Sequence, residues 1–394
     1  MAGDQLARVA LTVLVYARTA SALLAAVTFV ASVLPLFVGG LTLGGLADRF
    51  PRRAVMIACD LLRCALVLLM VVPGVPVAAL VVLLCAVTLI SAPFTAARSA
   101  TLPDVLDGEK YVLGQTVTLT TAQFAQVIGF GVGGVVVGFL GTGTSLVIDA
   151  ATYALSAFIV RIWVRHREPA HRRGGDRASE GAPGETVNVE AGAAPGDGGF
   201  RGAVRVVFGT RALLLPMLFG WLAAFYNAPE GVAAPLAAGM RGGAATVGLI
   251  LAAQVLGETF GMLIFGRLVP PELRRRWMGP LAVAACAVLT AFAAGPGLGG
   301  VVVVLAASGA FGGYQPAANA AFVSAAPMRM RGAAFGIAQG GMSLGQGILM
   351  IAAGGAADGY APSAVIAVTG AIGAVCAAGV AVSWTRPREG SRAG

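Results

Sequence analysis

Apolar residues fall along this chain in runs of membrane-crossing length, divided by short loops that hold most of the charge. A helix needs about 20 apolar residues to cross the hydrocarbon core. Such runs lie at about 22–47, 54–72, 77–97, 113–140 and 145–164, and again at 212–238, 245–268, 277–294, 300–325, 333–356 and 361–384. A shorter run at 6–17 precedes them and contains Arg8, so either the true start lies upstream or this first helix is incomplete. No small-residue cleavage site follows it, which argues against a signal peptide. The pattern predicts an all-α polytopic membrane protein with twelve transmembrane helices arranged as two six-helix bundles, residues 1–164 and 201–394.

Between the two halves the composition changes abruptly. Residues 165–200 are rich in arginine, glycine, proline and acidic side chains, cannot bury a core, and are expected to form a disordered linker. A short basic amphipathic stretch at 200–211 is expected to lie along the membrane surface before the second half begins.

Composition supports the membrane reading: 57% of the 394 residues are hydrophobic and only 11% are charged. The net charge of +9 comes from arginines in short loops, not from a stripe that would track nucleic acid. Arginine-rich segments at 48–53, 98–110, 165–211, 267–276 and 329–331, with Arg386, Arg388 and Arg392 in the tail, alternate with nearly uncharged loops. This asymmetry predicts that the basic loops, the linker and both termini face the cytoplasm of a plasma (inner) membrane protein. Were the first span missing, the N-terminus would lie outside. The five cysteines sit inside apolar runs without metal-ligand spacing, and the only histidines, His166 and His171, lie in the linker. A proton carrier within the membrane must therefore be a carboxylate. No phosphate-cradling loop, nucleophile with a placed base, metal cluster or cofactor motif is present, so the residues point away from an enzyme.

The stretch 44–63, GGLADRFPRRAVMIACDLLR, joins the second and third spans. Gly44 and Gly45 allow close helix packing, while Asp48, Arg49, Arg52 and Arg53 place mixed charge at the membrane surface. Asp60 and Arg63, one turn apart, are expected to pair within the membrane, where a lone charge is costly. A loop that only sets orientation needs the arginines but neither the glycines, the aspartate nor that pair.

This layout and the motif resemble the major facilitator superfamily, whose loop carries glycine, three residues, then Asp-Arg-x-Gly-Arg-Arg. Gly44, Asp48, Arg49, Arg52 and Arg53 match, and Pro51 replaces the second glycine. The stretches ARSATLPDVLDGEKYVLGQ and DLLR further resemble its enterobactin-exporter-like and macrolide-efflux-like branch. The fifth-span motif common in exporters departs: Ala125, Gly129, Phe130, Gly133 and Gly134 stand at its positions, one glycine and the proline being absent. The resemblance implies alternating access by two rocking bundles, a monomer, and an inner gate. In that gate Asp48 would meet the N-terminus of the span after 330–332, together with Arg98.

Candidate chemistry follows from polar side chains inside the spans. Glu258, with Gln254 one turn earlier on the same face, is the expected proton-coupling group, or else a carboxylate held permanently in the wall. Glu230 in YNAPEG is expected near the outer face, and Asp149 is either a further coupling group or a packing carboxylate. Gln123 and Gln126, Asn227, Tyr226 and Gln254, Tyr314, Gln315 and Asn319, and Gln339 and Gln346 are expected to line a substrate cavity or to bond between helices. The resulting expectation is proton-coupled export of a small organic, drug-like or siderophore-like compound. A proton-coupled importer and a non-transporting scaffold or sensor are the alternatives.

Overall fold

The computed structural model describes residues 2–43, 50–101, 109–164 and 199–385. Among them every regular element is helical. The first half comprises α1 (Ala2–Thr19), α2 (Ala22–Ala31), α3 (Leu34–Leu43), α4 (Arg52–Val71), α5 (Val77–Thr101) and the 55-residue α6 (Glu109–Trp163). Helix α6 breaks at Gly141, whose φ of 80° and ψ of 168° lie outside helical space, so that its two arms run as separate helices.

The second half opens with α7 (Gly199–Gly209) and α8 (Arg211–Trp221), followed by the short turns α9 (Ala223–Tyr226), α10 (Ala228–Gly231) and α11 (Ala233–Gly239). Then come α12 (Ala244–Leu268), α13 (Pro271–Ala287) extended by a 3₁₀ stretch, α14 (Leu298–Phe311), α15 (Gln315–Ala325), α16 (Arg331–Ala357) and α17 (Pro362–Thr385). The seventh predicted span is interrupted around Asn227 and Val232, because Pro229 and Pro235 cannot donate the backbone bonds a continuous helix requires.

Among the described residues nine helical stretches are long and apolar enough to cross a membrane, and one of them, Thr120–Trp163, is 44 residues long and can cross twice around Gly141. The remaining long helices of the predicted set, α1 and α16, are less apolar because they carry Asp4, Gln5 and Arg8 and Arg331, Gln339, Ser343 and Gln346. The protein is a multi-pass membrane protein. Its outward faces are apolar as lipid requires: Phe139 is 85% exposed, and Leu263, Val303 and Val375 also point outward.

Two compact units form. One holds residues 2–14 and 31–164, the other 15–30 and 199–385. In the first, α4 packs on α5 and α6 around Leu11, Val67, Leu80, Leu146 and Tyr153. In the second, α12 packs on α14 and α13 on α17. The α12–α14 contact is made by glycines: a Cβ at Gly257 would strike the carbonyl of Ala306, one at Gly261 that of Ala310, and one at Gly309 that of Gln254. Also in the second unit, the Asp358 carboxylate caps α2, accepting from the Ser21 hydroxyl at 3.1 Å and from the N–H groups of Ala22 and Leu23.

Candidate transport sites

The first unit encloses a cavity of about 410 Å³ between α1, α4, α5 and α6. Asp60 and Arg63 of α4 form the expected ion pair, and both side chains are almost wholly buried. The Arg63 guanidinium is held between the rings of Phe94 at 4.5 Å and Tyr153 at 4.6 Å, and donates to Ser91 Oγ at 3.3 Å. A buried charge is tolerated only when paired and hydrogen-bonded, and this arginine has an anion, a hydroxyl and two π-faces.

The pair does not stand alone. Tyr153 donates its hydroxyl to Asp4 Oδ1 at 2.6 Å, and Arg8 donates to the Ser32 carbonyl at 3.2 Å. Asp149 is buried beside Gly3, where any Cβ would strike its carboxylate, and its Oδ2 has no hydrogen-bond partner among the described residues. Asp4, Arg8, Asp60, Arg63, Gln126, Asp149 and Tyr153 thus line one chamber. From the sequence Arg8 reads as an interruption of a short apolar run, and neither Asp4 nor Tyr153 stands out. The available signal was the Asp4, Arg8 spacing, which sets both on one helix face.

Of the proposed gate residues, Gly44, Asp48 and Arg49 lie outside the described residues. Arg52 Nη1 donates to the Ala100 carbonyl at 2.6 Å, and Arg53 donates to the Arg161 carbonyl. Each guanidinium therefore sits at the negative C-terminal end of a neighbouring helix of the same unit. Arg98 lies in the last turn of α5, beside that end.

The second unit carries a chain of neutral polar groups. Gln254 donates to the Tyr226 carbonyl and to Asn227 Oδ1, both at 3.3 Å. Gln315 donates to the Tyr226 hydroxyl at 2.8 Å and to the Gly220 carbonyl at 3.1 Å, and Tyr314 donates to the Phe219 carbonyl at 2.9 Å. Backbone carbonyls are free to be bonded here because the seventh span is broken at Leu222, after Phe219 and Gly220, and again at Asn227, after Tyr226. Glu258 lies one turn beyond Gln254, partly exposed and near enough to Glu230 for their charges to interact. A pocket of about 300 Å³ opens beside this chain, lined by Gln315, Asn319 and Gln339 with Trp221, Met217 and Phe335. Gln123 and Gln346 are half-buried and line neither chamber, and Gln126 belongs to the first unit's cavity.

The sequence profile of the Major Facilitator Superfamily matches residues 1–230 and 231–394, the whole chain. The chain belongs to the Major Facilitator Superfamily. Its family and fold are therefore those of membrane transporters of small molecules, not of enzymes. Among curated proteins, the multidrug efflux pump Tap of Mycolicibacterium fortuitum is 28% identical over 347 residues, covering 85% of this chain and 81% of that one. Among solved structures, the nucleoside transporter NupG superposes with a TM-score of 0.71 at 13% identity over 98% of both chains. A POT family transporter in complex with 5-aminolevulinic acid gives 0.71 at 10% identity, covering 98% of this chain and 95% of that one. A bacterial homologue of the human lysosomal transporter Spinster, inward-facing and unoccupied, gives 0.62 at 15% identity over 97% and 91%. At such identities the structures share the fold of the superfamily alone.

Proposed function

We propose that this transporter is a proton-coupled exporter of small, largely apolar or amphipathic organic compounds in the plasma membrane, with its termini in the cytoplasm. Residues 1–164 and 201–394 act as its two moving bundles. The observation that carries the reading is the polar chain Gln254, Asn227, Tyr226 and Gln315, which ends at a pocket walled by Trp221, Met217 and Phe335, with Glu258 one turn away. Neutral amides and aromatic walls suit a compound that is mostly apolar with a few donors and acceptors. Glu258 and Glu230, near enough to each other for their charges to interact, would exchange the proton. The efflux activity in the name of the curated relative favours export over import.

One proton re-entering through about 100 mV supplies about 2.3 kcal/mol, enough for a roughly fortyfold gradient of a neutral solute. The gate residues Gly44, Asp48, Arg49, Arg52, Arg53 and Arg98 would close the cytoplasmic side, with Asp60 and Arg63 as their buried support.

The test is proton movement in inside-out vesicles holding wild type or Glu258→Gln, across a panel of amphipathic antibiotics, dyes and siderophores. Compound-dependent proton efflux that vanishes in the variant supports the reading. Compound uptake that runs with the proton, in the same direction, points to import, and flux unaffected by the variant removes Glu258 from coupling.

A further inference from the structure

A third chamber of about 750 Å³ lies in the second unit, at the end where α8 and α13 begin and α15 and α17 finish. Two arginines line it, Arg211 and Arg275, with Thr210, Ser324 and Trp384, and no acidic side chain among the described residues takes part. It shares none of the amides that form the polar chain.

Both guanidiniums are held in place by neutral groups on the last turn of α17. Arg211 donates to the Ser383 carbonyl. Arg275 lies over the Trp384 ring at 5.3 Å, while Trp384 Nε1 donates to the Arg275 carbonyl at 2.9 Å. The Trp384 ring is fixed in turn by an edge contact with Phe219 at 5.8 Å. Neither arginine meets a carboxylate among the described residues, so within these residues their charges are oriented but not neutralised.

The chamber adds a second source of positive potential. Helix α8 starts at Arg211, and its first backbone bond runs from the Leu213 N–H to the Thr210 carbonyl, which leaves the N–H groups of Arg211 and Ala212 directed out of the helix end. Two guanidinium forks, a helix N-terminus and exposed hydroxyls at Thr210 and Ser324 describe a receptor for a tetrahedral oxyanion. Ends of membrane-crossing helices generally fall near the lipid head groups, where tryptophan is also favoured.

We propose that this chamber binds the phosphodiester head group of an anionic phospholipid, gripped by Arg211 and Arg275 with Trp384 seated at the interface. A zwitterionic lipid would bring its own cation to a site that already has two, which selects against it.

The full-length protein, reconstituted in a mixture of phosphatidylglycerol and phosphatidylcholine, is tested by native mass spectrometry for retained lipid. Wild type is expected to keep phosphatidylglycerol in preference to phosphatidylcholine, and Arg211→Gln with Arg275→Gln to lose that preference by about tenfold. Arg276→Gln, an exposed neighbour outside the chamber, should keep it. Should the double variant elute as aggregate, Arg275→Lys and Trp384→Phe serve instead, each expected to give a partial loss. Equal retention of the two lipids by wild type, or undiminished phosphatidylglycerol retention in the arginine variants, overturns the proposal. Glycerol 3-phosphate is the control for a soluble source: binding as tight as that of the lipid would make a free organic phosphate the occupant and overturn the lipid assignment.

Discussion

Tyr153 and Asp4 are 149 residues apart in the chain, and the hydroxyl of one donates to the carboxylate of the other at 2.6 Å. This bond ties the first helix to the second arm of α6 inside the first unit, next to the buried Asp60, Arg63 pair. Tyr153 therefore serves two charges at once, bonding an anion with its hydroxyl and facing a cation with its ring.

Tyr153→Phe keeps the ring over Arg63 and removes the bond to Asp4. The expected loss is about 1–3 kcal/mol, read as a lower apparent Tm in detergent. Combining it with Asp4→Asn should cost less than the sum of the single changes, because both remove the same bond.

For the Asp60, Arg63 pair, the change of one partner is expected to be worse than the change of both. Arg63→Ala leaves Asp60 as an uncompensated buried charge, a cost of about 3–5 kcal/mol, and should reduce the yield of monodisperse protein. Asp60→Asn with Arg63→Gln should recover much of that yield. A double variant as poor as Arg63→Ala would mean that the cation itself, held against Phe94 and Tyr153, organises the site.

Much of this architecture is legible in the sequence. Apolar run lengths give the spans, and the one-turn spacing of Asp60 and Arg63 gives their pairing. The one-turn spacings of polar side chains bring out Gln254, Gln315, Asn319 and Gln339, all of which meet at or near one chamber. What escapes is whatever depends on tertiary partners. Arg8 looks like a defect in a short span, and Asp4 goes unnoticed, until α4 and α6 are seen to supply Arg63 and Tyr153, and the α2–α3 junction Ser32, around them. Gln123 and Gln126 share a helix face in the sequence, yet only Gln126 reaches the cavity, because a helix face is wider than the opening it serves.

Arg52 and Arg53 have an expected role as gate charges and an observed role as staples on helix C-termini. Each such contact is worth about 0.3–1 kcal/mol at an exposed site. Arg53→Gln should therefore lower the apparent Tm by only a few degrees. If it acts as a staple alone, transport rates in vesicles stay within about twofold, the factor such a small energy permits. A much larger fall in rate with an unchanged Tm would assign Arg53 to the gate.

Two alanine substitutions on one helix separate close packing from open surface. Gly261→Ala places a methyl against the Ala310 carbonyl and should cost about 1–3 kcal/mol. Gly266→Ala meets nothing within 4 Å and should be neutral or stabilising by up to about 1 kcal/mol. The comparison is read from the apparent Tm of the two variants.

That seam also has a mechanical side. Where two helices meet through side chains, each can shift a little as rotamers change, and the contact yields like a cushion. Between α12 and α14 main chain lies on main chain at Gly257, Gly261 and Gly309, so there are no rotamers at those points to take up the movement. The two helices form a stiff beam. If Glu258 exchanges a proton as proposed, a displacement that starts there should be carried along it to Ala310 without being absorbed on the way.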